Sequence, residues 1–326
     1  MDLDVVFLGT SGSTPTAQRA LAATLVRRGG ERLLFDCSEG TQRQLLRSDV
    51  GLVELEEIFL THYHADHYLG LPGLLKTYSL RGRDVPLTMY GPRGLRDLLS
   101  SLRRIFGRLT YEVQAVELEP GRRLERSGYA LETFAVAHGV SAVGYTLLEH
   151  ERPGRFDVDA ADALGVPDGR ERGLLQAGEG VELADGTRVT PEQVLGPPRP
   201  GRKLVLTGDT APAASVVEAA TGADVLVHEA TFLADERERA RETSHSTAGE
   251  AALVAREAGV QLLALVHVST RYFGHQVVEE ARELFPDTVV PRDFDTVEIP
   301  FPERGAPALV RAGARARKAA IGSEGT

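Results

Sequence analysis

Short apolar runs alternate with helical patterns along most of the chain. Apolar runs bounded by turn residues predict strands, here at 3–8, 21–28, 32–36, 58–60, 87–90, 131–136, 143–148, 204–206, 225–227 and 262–266. Apolar positions at helical spacing predict helices at 41–47, 69–80, 94–106, 213–220, 234–242, 246–258 and 276–284, the last followed by two short strands. Strands first, then strand–helix alternation, favour packed sheets with helices outside.

Residues 151–202 interrupt this pattern. They cluster proline, glycine and charge, and acidic residues outnumber basic ones. A connection of this length without periodicity is either functional or disordered. We therefore interpret residues 1–310 as one α/β domain with 151–202 inserted, and residues 311–326 as a disordered basic tail.

Composition narrows the class of protein. The chain has 326 residues, of which 42% are hydrophobic, enough for a large core and too many for a disordered protein. It lacks a long apolar span and a signal-peptide pattern, so we expect a cytoplasmic protein without a membrane segment. Its single cysteine, Cys37, cannot form an internal disulfide. The net charge of −10 argues at face value against a nucleic-acid partner.

A dense group of metal-ligand residues follows the strand at 58–60. The segment 62–67 reads HYHADH, so His62, His64, Asp66 and His67 lie within six residues. In extended backbone, alternate side chains point the same way, so the first two histidines can reach one ion. Imidazole and carboxylate together suit zinc.

Three further ligand-type residues each follow an apolar strand: His138, Asp209 and His267. A lone histidine in this position is usually structural. Three such strand ends beside the HYHADH cluster reverse that expectation, because metal ligands emerge at the rim of a sheet.

These residues resemble those of the metallo-β-lactamase superfamily, and other segments resemble its ribonuclease Z family of tRNA 3′-processing endoribonucleases. The supporting segments are 7–10 (FLGT), 36–44 (DCSEGTQRQ), 69–75 (LGLPGLL), 228–232 (HEATF) and 245–248 (HSTA). The resemblance implies a four-layer αβ/βα sandwich with a protruding arm at 151–202 that binds the tRNA body.

The resemblance also implies two zinc ions per subunit and assigns their ligands. One zinc takes His62, His64 and His138, the other takes Asp66, His67 and His267, and Asp209 bridges them. Two cations about 3.5–4 Å apart can hold a hydroxide and clamp both oxygens of an in-line phosphoryl displacement. Asp66 would also orient the attacking water. His245, supported by Glu229, matches the family's proton donor, although its Ser-His-Ser context also fits helix capping.

The implied partners are precursor tRNA and a second copy of the chain. The candidate RNA contacts are Arg170, Arg172 and Arg199 on the arm, Arg19 in an N-terminal loop, and Arg271 shortly after the last ligand. Composition alone favours an ordinary solvated insertion for the arm.

The leading hypothesis is removal of the 3′ trailer from precursor tRNA, leaving a 3′-hydroxyl. A hydrolase of a small phosphodiester or ester is the alternative, and a metal-free binding protein is a third hypothesis.

Overall fold

The computed structural model describes residues 1–52 and 55–313. Its strands are β1 Leu3–Gly9, β2 Ala23–Arg28, β3 Glu31–Phe35, β4 Glu57–Phe59, β5 Leu87–Gly91, β6 Val113–Glu117, β7 Arg123–Arg126, β8 Tyr129–Ala135, β9 Val143–Glu149, β10 Val181–Glu182, β11 Arg188–Val189, β12 Lys203–Leu206, β13 Val225–Glu229, β14 Leu262–Val266, β15 Thr288–Val289, β16 Thr296–Glu298 and β17 Ala308–Val310. Its helices are α1 Thr41–Arg47, α2 Ala65–Tyr68, α3 Leu71–Leu80, α4 Leu95–Phe106, α5 Val158–Ala163, α6 Arg170–Gln176, α7 Ala214–Ala220, α8 Arg237–Glu242, α9 Ala248–Ala258 and α10 Gly274–Arg282.

Two large mixed sheets form the domain. The first has the strand order β17-β16-β1-β2-β3-β4-β5-β6, and the second has the order β15-β14-β13-β12-β9-β8-β7. Strands β3 to β6 run parallel, as do β12 to β15. Strand β8 also runs parallel to β12, because each is antiparallel to β9. The strands that precede candidate ligands therefore end at the same edge of their sheet.

Side chains that point alternately to the two faces of each sheet produce four layers. In β1, Phe7 packs in the core between the sheets, whereas its neighbour Leu8 packs against α1 and α3. In β13, Val227 faces the same central core and Leu226 faces α7 and α9. Each sheet thus buries one face on the other sheet and one face on helices. This is the predicted αβ/βα sandwich.

The 151–202 insertion has its own small core. Helices α5 and α6 and the β10–β11 hairpin bury Ala161, Val166, Leu175 and Val189 in an apolar cluster separate from the three clusters of the main domain. At its base, isolated bridges pair Arg152 with Arg199 and Phe156 with Leu195. The segment is therefore an ordered appendage on a two-stranded stalk, with secondary structure that its composition did not reveal.

Most elements lie where the apolar pattern predicts them, within a few residues. The chain after α10 differs, because it forms three short strands rather than two. Of the predicted tail, residues 314–326 lie outside the described residues, and the Arg311 guanidinium forms an ion pair with the buried Asp295. No helix in the described ranges has the length and apolar character needed to cross a membrane.

Candidate metal centre

The candidate ligands gather at the carboxyl edges of the two sheets. His62 follows β4 in the first sheet, while His138, Asp209 and His267 follow β8, β12 and β14 in the second. The short helix α2 begins directly after His64 and carries Asp66 and His67 back toward the same point. Because these parallel strands end together, residues far apart in sequence converge on one site.

The ligand atoms form two adjoining groups. His62, His64, His138 and Asp209 each place one ligand atom within 4.8 Å of the others, and Asp66, His67 and His267 do the same. Asp209 joins the groups, since its Oδ2 lies 3.7 Å from His62 Nε2 and 3.3 Å from His267 Nε2. All seven residues predicted as ligands therefore meet, in the two sets that the family resemblance implies, and His245 forms a third such group with Asp209 and His267.

The chemistry of this donor set fits metal binding. Within the described part of the chain, the buried Nε2 atoms of His62 and His67 have no hydrogen-bond partner, a costly arrangement unless an ion takes the lone pair. Burial alone would raise the pKa of Asp209, but the imidazoles of His267, His67 and His62 hold it well below its usual range. His64 is exposed, so the centre opens to solvent on that side.

Hydrogen bonds donated by Nδ1 orient three of the histidines. His67 Nδ1 donates to Asp36 Oδ2 at 2.8 Å, and His138 Nδ1 donates to the Ser244 carbonyl at 3.0 Å. The Thr231 hydroxyl donates to Glu229, so it accepts from His267 Nδ1 at 2.8 Å. A proton on Nδ1 leaves the Nε2 lone pair facing the site, as metal coordination requires.

Asp36, Thr231 and Ser244 were not predicted as site residues. Asp36 follows β3 directly, the same strand-end context that identified the other candidates, and it also accepts hydrogen bonds from the N–H and hydroxyl of Thr61. Strand-end position was therefore a signal for Asp36. Both Asp36 and Ser244 have positive φ, a backbone conformation unusual for these residues that turns their groups toward the histidines.

His245, which is half-buried, pairs with the buried Glu229 beside the metal ligands. His245 Nδ1 lies 2.7 Å from Glu229 Oε1, and its ring stacks on His267 with centroids 5.4 Å apart. Burial alone would lower the pKa of His245, but Glu229 and then Asp209 raise it to about 9. Glu229 therefore favours the protonated form of His245, and an imidazolium here could donate a proton from Nε2.

The loop after β1 closes the site from the N-terminal side. The Ser13 N–H donates to Asp66 Oδ2 at 2.8 Å, which fixes that carboxylate. Gly12 lies against the His267 ring, where an added Cβ would come within 2.5 Å of Nδ1. Glycine is therefore required at position 12 for the loop to approach the ligand.

The candidate RNA-binding arginines differ in how they are held. Arg19 donates to the Thr10 hydroxyl and the Pro291 carbonyl, and Arg271 lies 3.5 Å from Glu236. On the arm, Arg172 pairs with Asp162 and Asp168, Arg199 pairs with Glu303, and Arg170 is exposed at the start of α6.

The root of the arm contains a network of charged and aromatic side chains. Glu303 binds Arg152 through both carboxylate oxygens, at 2.8 and 3.0 Å, and also pairs with Arg199 at 3.0 Å. The Arg152 guanidinium lies 3.5 Å above the Phe301 ring. These contacts hold the two stalk strands against the C-terminal part of the main domain.

Comparison with known proteins agrees with this geometry. The family model of the metallo-beta-lactamase superfamily matches residues 19–247. Proteins named Ribonuclease Z are 44% identical over 302 residues in Methanosarcina acetivorans and 48% identical over 306 residues in Haloferax volcanii, covering 92% of this chain and 99% and 96% of theirs. The crystal structure of the short form of human tRNase Z has a TM-score of 0.67 and 26% identity, covering 91% of this chain and 99% of that one.

Fold and site together define a metal-dependent member of the metallo-β-lactamase superfamily. Within that superfamily, the chain belongs to the ribonuclease Z family, whose members it matches over nearly their full length.

Proposed function

We propose that the protein is an endoribonuclease that removes the 3′ trailer from precursor tRNA and leaves a 3′-hydroxyl. The observation that carries the proposal is the pair of adjoining ligand groups joined by Asp209, with the His245–Glu229 pair beside them. The relatives named Ribonuclease Z support the same activity.

We assign the centre two zinc ions, one on His62, His64 and His138 and the other on Asp66, His67 and His267, with Asp209 shared. Bound there, the ions would supply a nucleophile from water at neutral pH and offset the negative charge that develops at the phosphate. Asp66, held by Ser13, accepts a hydrogen bond from the attacking water and orients it.

The leaving group is the 3′ oxygen of the last tRNA nucleotide, which must gain a proton or a cationic partner. His245 donates that proton, and Glu229 keeps it protonated and oriented at neutral pH. Cleavage of the bond between the phosphorus and this 3′ oxygen leaves the 3′-hydroxyl on the tRNA.

The arm at 151–202 gives the proposed enzyme a second contact with its substrate. Its own core and its anchored stalk suit a rigid outlying surface that recognises the shape of the tRNA body. Of the three candidate arginines on the arm, Arg172 and Arg199 pair with acidic side chains, whereas the exposed Arg170 is available for a phosphate. We further propose that two copies of the chain act as a homodimer in the cytoplasm, with the arm of one serving the centre of the other.

The test uses purified protein and two precursor tRNAs, one with and one without an encoded CCA, with both product ends mapped. A single cut with a 3′-hydroxyl on the tRNA supports the proposal, and cleavage must be lost in Asp209→Ala. Intact precursors after incubation of metal-loaded protein would refute it.

Removal of residues 155–198 separates tRNA processing from small-molecule hydrolysis. The Arg152 N–H already donates to the Arg199 carbonyl at 2.8 Å, so a short glycine linker can join the ends without moving the main domain. The shortened protein should hydrolyse a small aryl phosphodiester as before but fail on precursor tRNA. Equal activity of both forms on tRNA would remove the arm from the proposal, and it would favour the small-phosphodiester alternative.

A further inference from the structure

A basic groove lies on the outer side of the loop that closes the metal centre. Its cavity of about 740 Å³ is bounded by the loop before β2, one side of α10 and the chain around β15 and β17. Five basic side chains and one aromatic ring line it: Arg19, His275, Arg282, Arg292, Arg311 and Phe273. Among the described residues, no acidic side chain lines this groove.

The cations of the groove are crowded together. Arg19 is half-buried, and burial lowers its pKa, as do the neighbouring Arg292 and Arg311, whereas Asp293 and Asp295 raise it. Of these cations, Arg311 is already paired with Asp295. The exposed Arg292 guanidinium makes no hydrogen bond or ion pair within the described part of the chain. Crowded guanidinium groups with an open face match the repeating negative charge of a phosphate backbone.

An exposed aromatic surface stands at one side of the groove. Phe273 is 70% exposed, and its ring stacks on His275 with centroids 5.7 Å apart and an interplanar angle of 15°. A large apolar ring that stays this exposed contributes little hydrophobic free energy to folding. Flat, exposed rings beside cations are the usual platform on which unpaired bases stack.

Two hydrogen bonds and one peptide bond connect Arg19 in the groove to a candidate metal ligand. Arg19 Nη1 donates to the Thr10 hydroxyl, and the Thr10 carbonyl accepts from the Val268 N–H at 3.0 Å. Val268 directly follows the candidate ligand His267. The loop that places Gly12 and Ser13 against the metal ligands also places Arg19 along the groove, so the groove lies next to the metal centre.

We infer that this groove binds the single-stranded 3′ trailer of the precursor as it leaves the metal centre. The inference rests on the proposed function. The stacked Phe273–His275 surface suits unpaired bases, whereas the bases of the acceptor stem are paired and hidden within the helix. The groove therefore takes the part of the substrate that lies beyond the cut.

The test compares precursor tRNAs that carry a trailer of one nucleotide or of about ten, a length within the usual footprint of single-strand sites. The variants are Phe273→Ala and Arg292→Ala, singly and combined, in the full-length metal-loaded protein. Arg256→Ala is the matched control, because this exposed arginine lies in the last turn of α9, at the end of the helix away from the metal ligands.

We expect kcat/KM of the double variant on the long trailer to fall by about tenfold to a hundredfold, the usual loss for a stacking platform. Activity on the one-nucleotide trailer and the activity of Arg256→Ala should stay at the wild-type level. The slope of log KM against log salt should become shallower by about 0.7 in Arg292→Ala, the value for one contact to a single-stranded phosphate.

An equal loss on both trailers would assign the groove to the tRNA body and overturn the inference, as would no loss on either. If wild-type protein cleaves neither substrate, the proposed function fails, and the groove is then tested by fluorescence anisotropy with a single-stranded RNA oligonucleotide. Weaker binding by the double variant than by wild type would still support it, and equal binding would refute it.

Discussion

Glu229→Gln offers the sharpest test of the proton donor, because it removes a charge and keeps the shape. Glu229 is 1% exposed and lies 2.7 Å from His245, whose pKa is held at about 9 against an ordinary value of 6.5. Loss of the carboxylate charge should return the pKa of His245 toward 6.5, a change of about 2.5 units or roughly 3 kcal/mol.

The sign of the effect follows from the donor role. A general acid must be protonated, so kcat falls as pH rises through its pKa. At pH 8 the protonated fraction of His245 would drop from about nine-tenths to about 3%, or about thirtyfold, whereas below pH 6 the two enzymes should converge. Bound cations would lower the pKa in both proteins and move the pH range in which they differ to lower values, so the prediction is the displacement between the two profiles.

The assay is the pH dependence of kcat on precursor tRNA under saturating substrate and metal. Glu257→Gln, an exposed change on α9, is the matched control and should keep the wild-type profile. A Glu229→Gln profile that is lowered equally at every pH would show that Glu229 serves only the fold, and an unchanged profile would show that His245 is not the acid.

Three further changes test other parts of the structure. Asp36→Asn should weaken metal binding by about tenfold to a hundredfold, because Asp36 orients His67. Metal titration of the apoprotein measures the affinity, and an unchanged affinity would contradict that role. Glu303→Gln should raise KM for precursor tRNA about fivefold, because the stalk of the arm loses its ion pairs with the main domain. Hydrolysis of a small phosphodiester should stay unchanged, and an equal effect on both substrates would contradict the anchoring role. Tyr145→Phe should lower the free energy of unfolding, measured by urea denaturation, by about 1–3 kcal/mol, since the buried Leu60 carbonyl loses its 2.7 Å hydrogen bond. A smaller loss would mean that the carbonyl finds another hydrogen-bond donor.

The stalk and the groove show how the tertiary structure changes the meaning of arginines. Arg199 looked like an RNA contact from its place in the insertion, yet it pairs with Glu303, more than a hundred positions away. Phe273 and Arg292 drew no attention in the sequence, since a single exposed ring and a single cation are common. Only the folded chain places them in one cavity with Arg19.

The acidic net charge likewise proved a poor guide to local chemistry. The excess of acidic residues is a property of the whole chain, whereas recognition of phosphate depends on how a few side chains cluster. Arg19, Arg282, Arg292 and Arg311 come together from four separate segments of the chain.

The sequence by itself determined the layers and the candidate ligands. The spacing of apolar residues and the turn residues locate most strands and helices, because these signals are local. The HYHADH segment indicates metal binding, because four ligand residues lie within six positions of each other. The fold alone decided how Asp36, Thr231 and Ser244 orient the histidines and how Glu303 holds the arm. Those contacts join segments that are distant in sequence, and only the packing of two sheets at a shared edge brings them within hydrogen-bond distance.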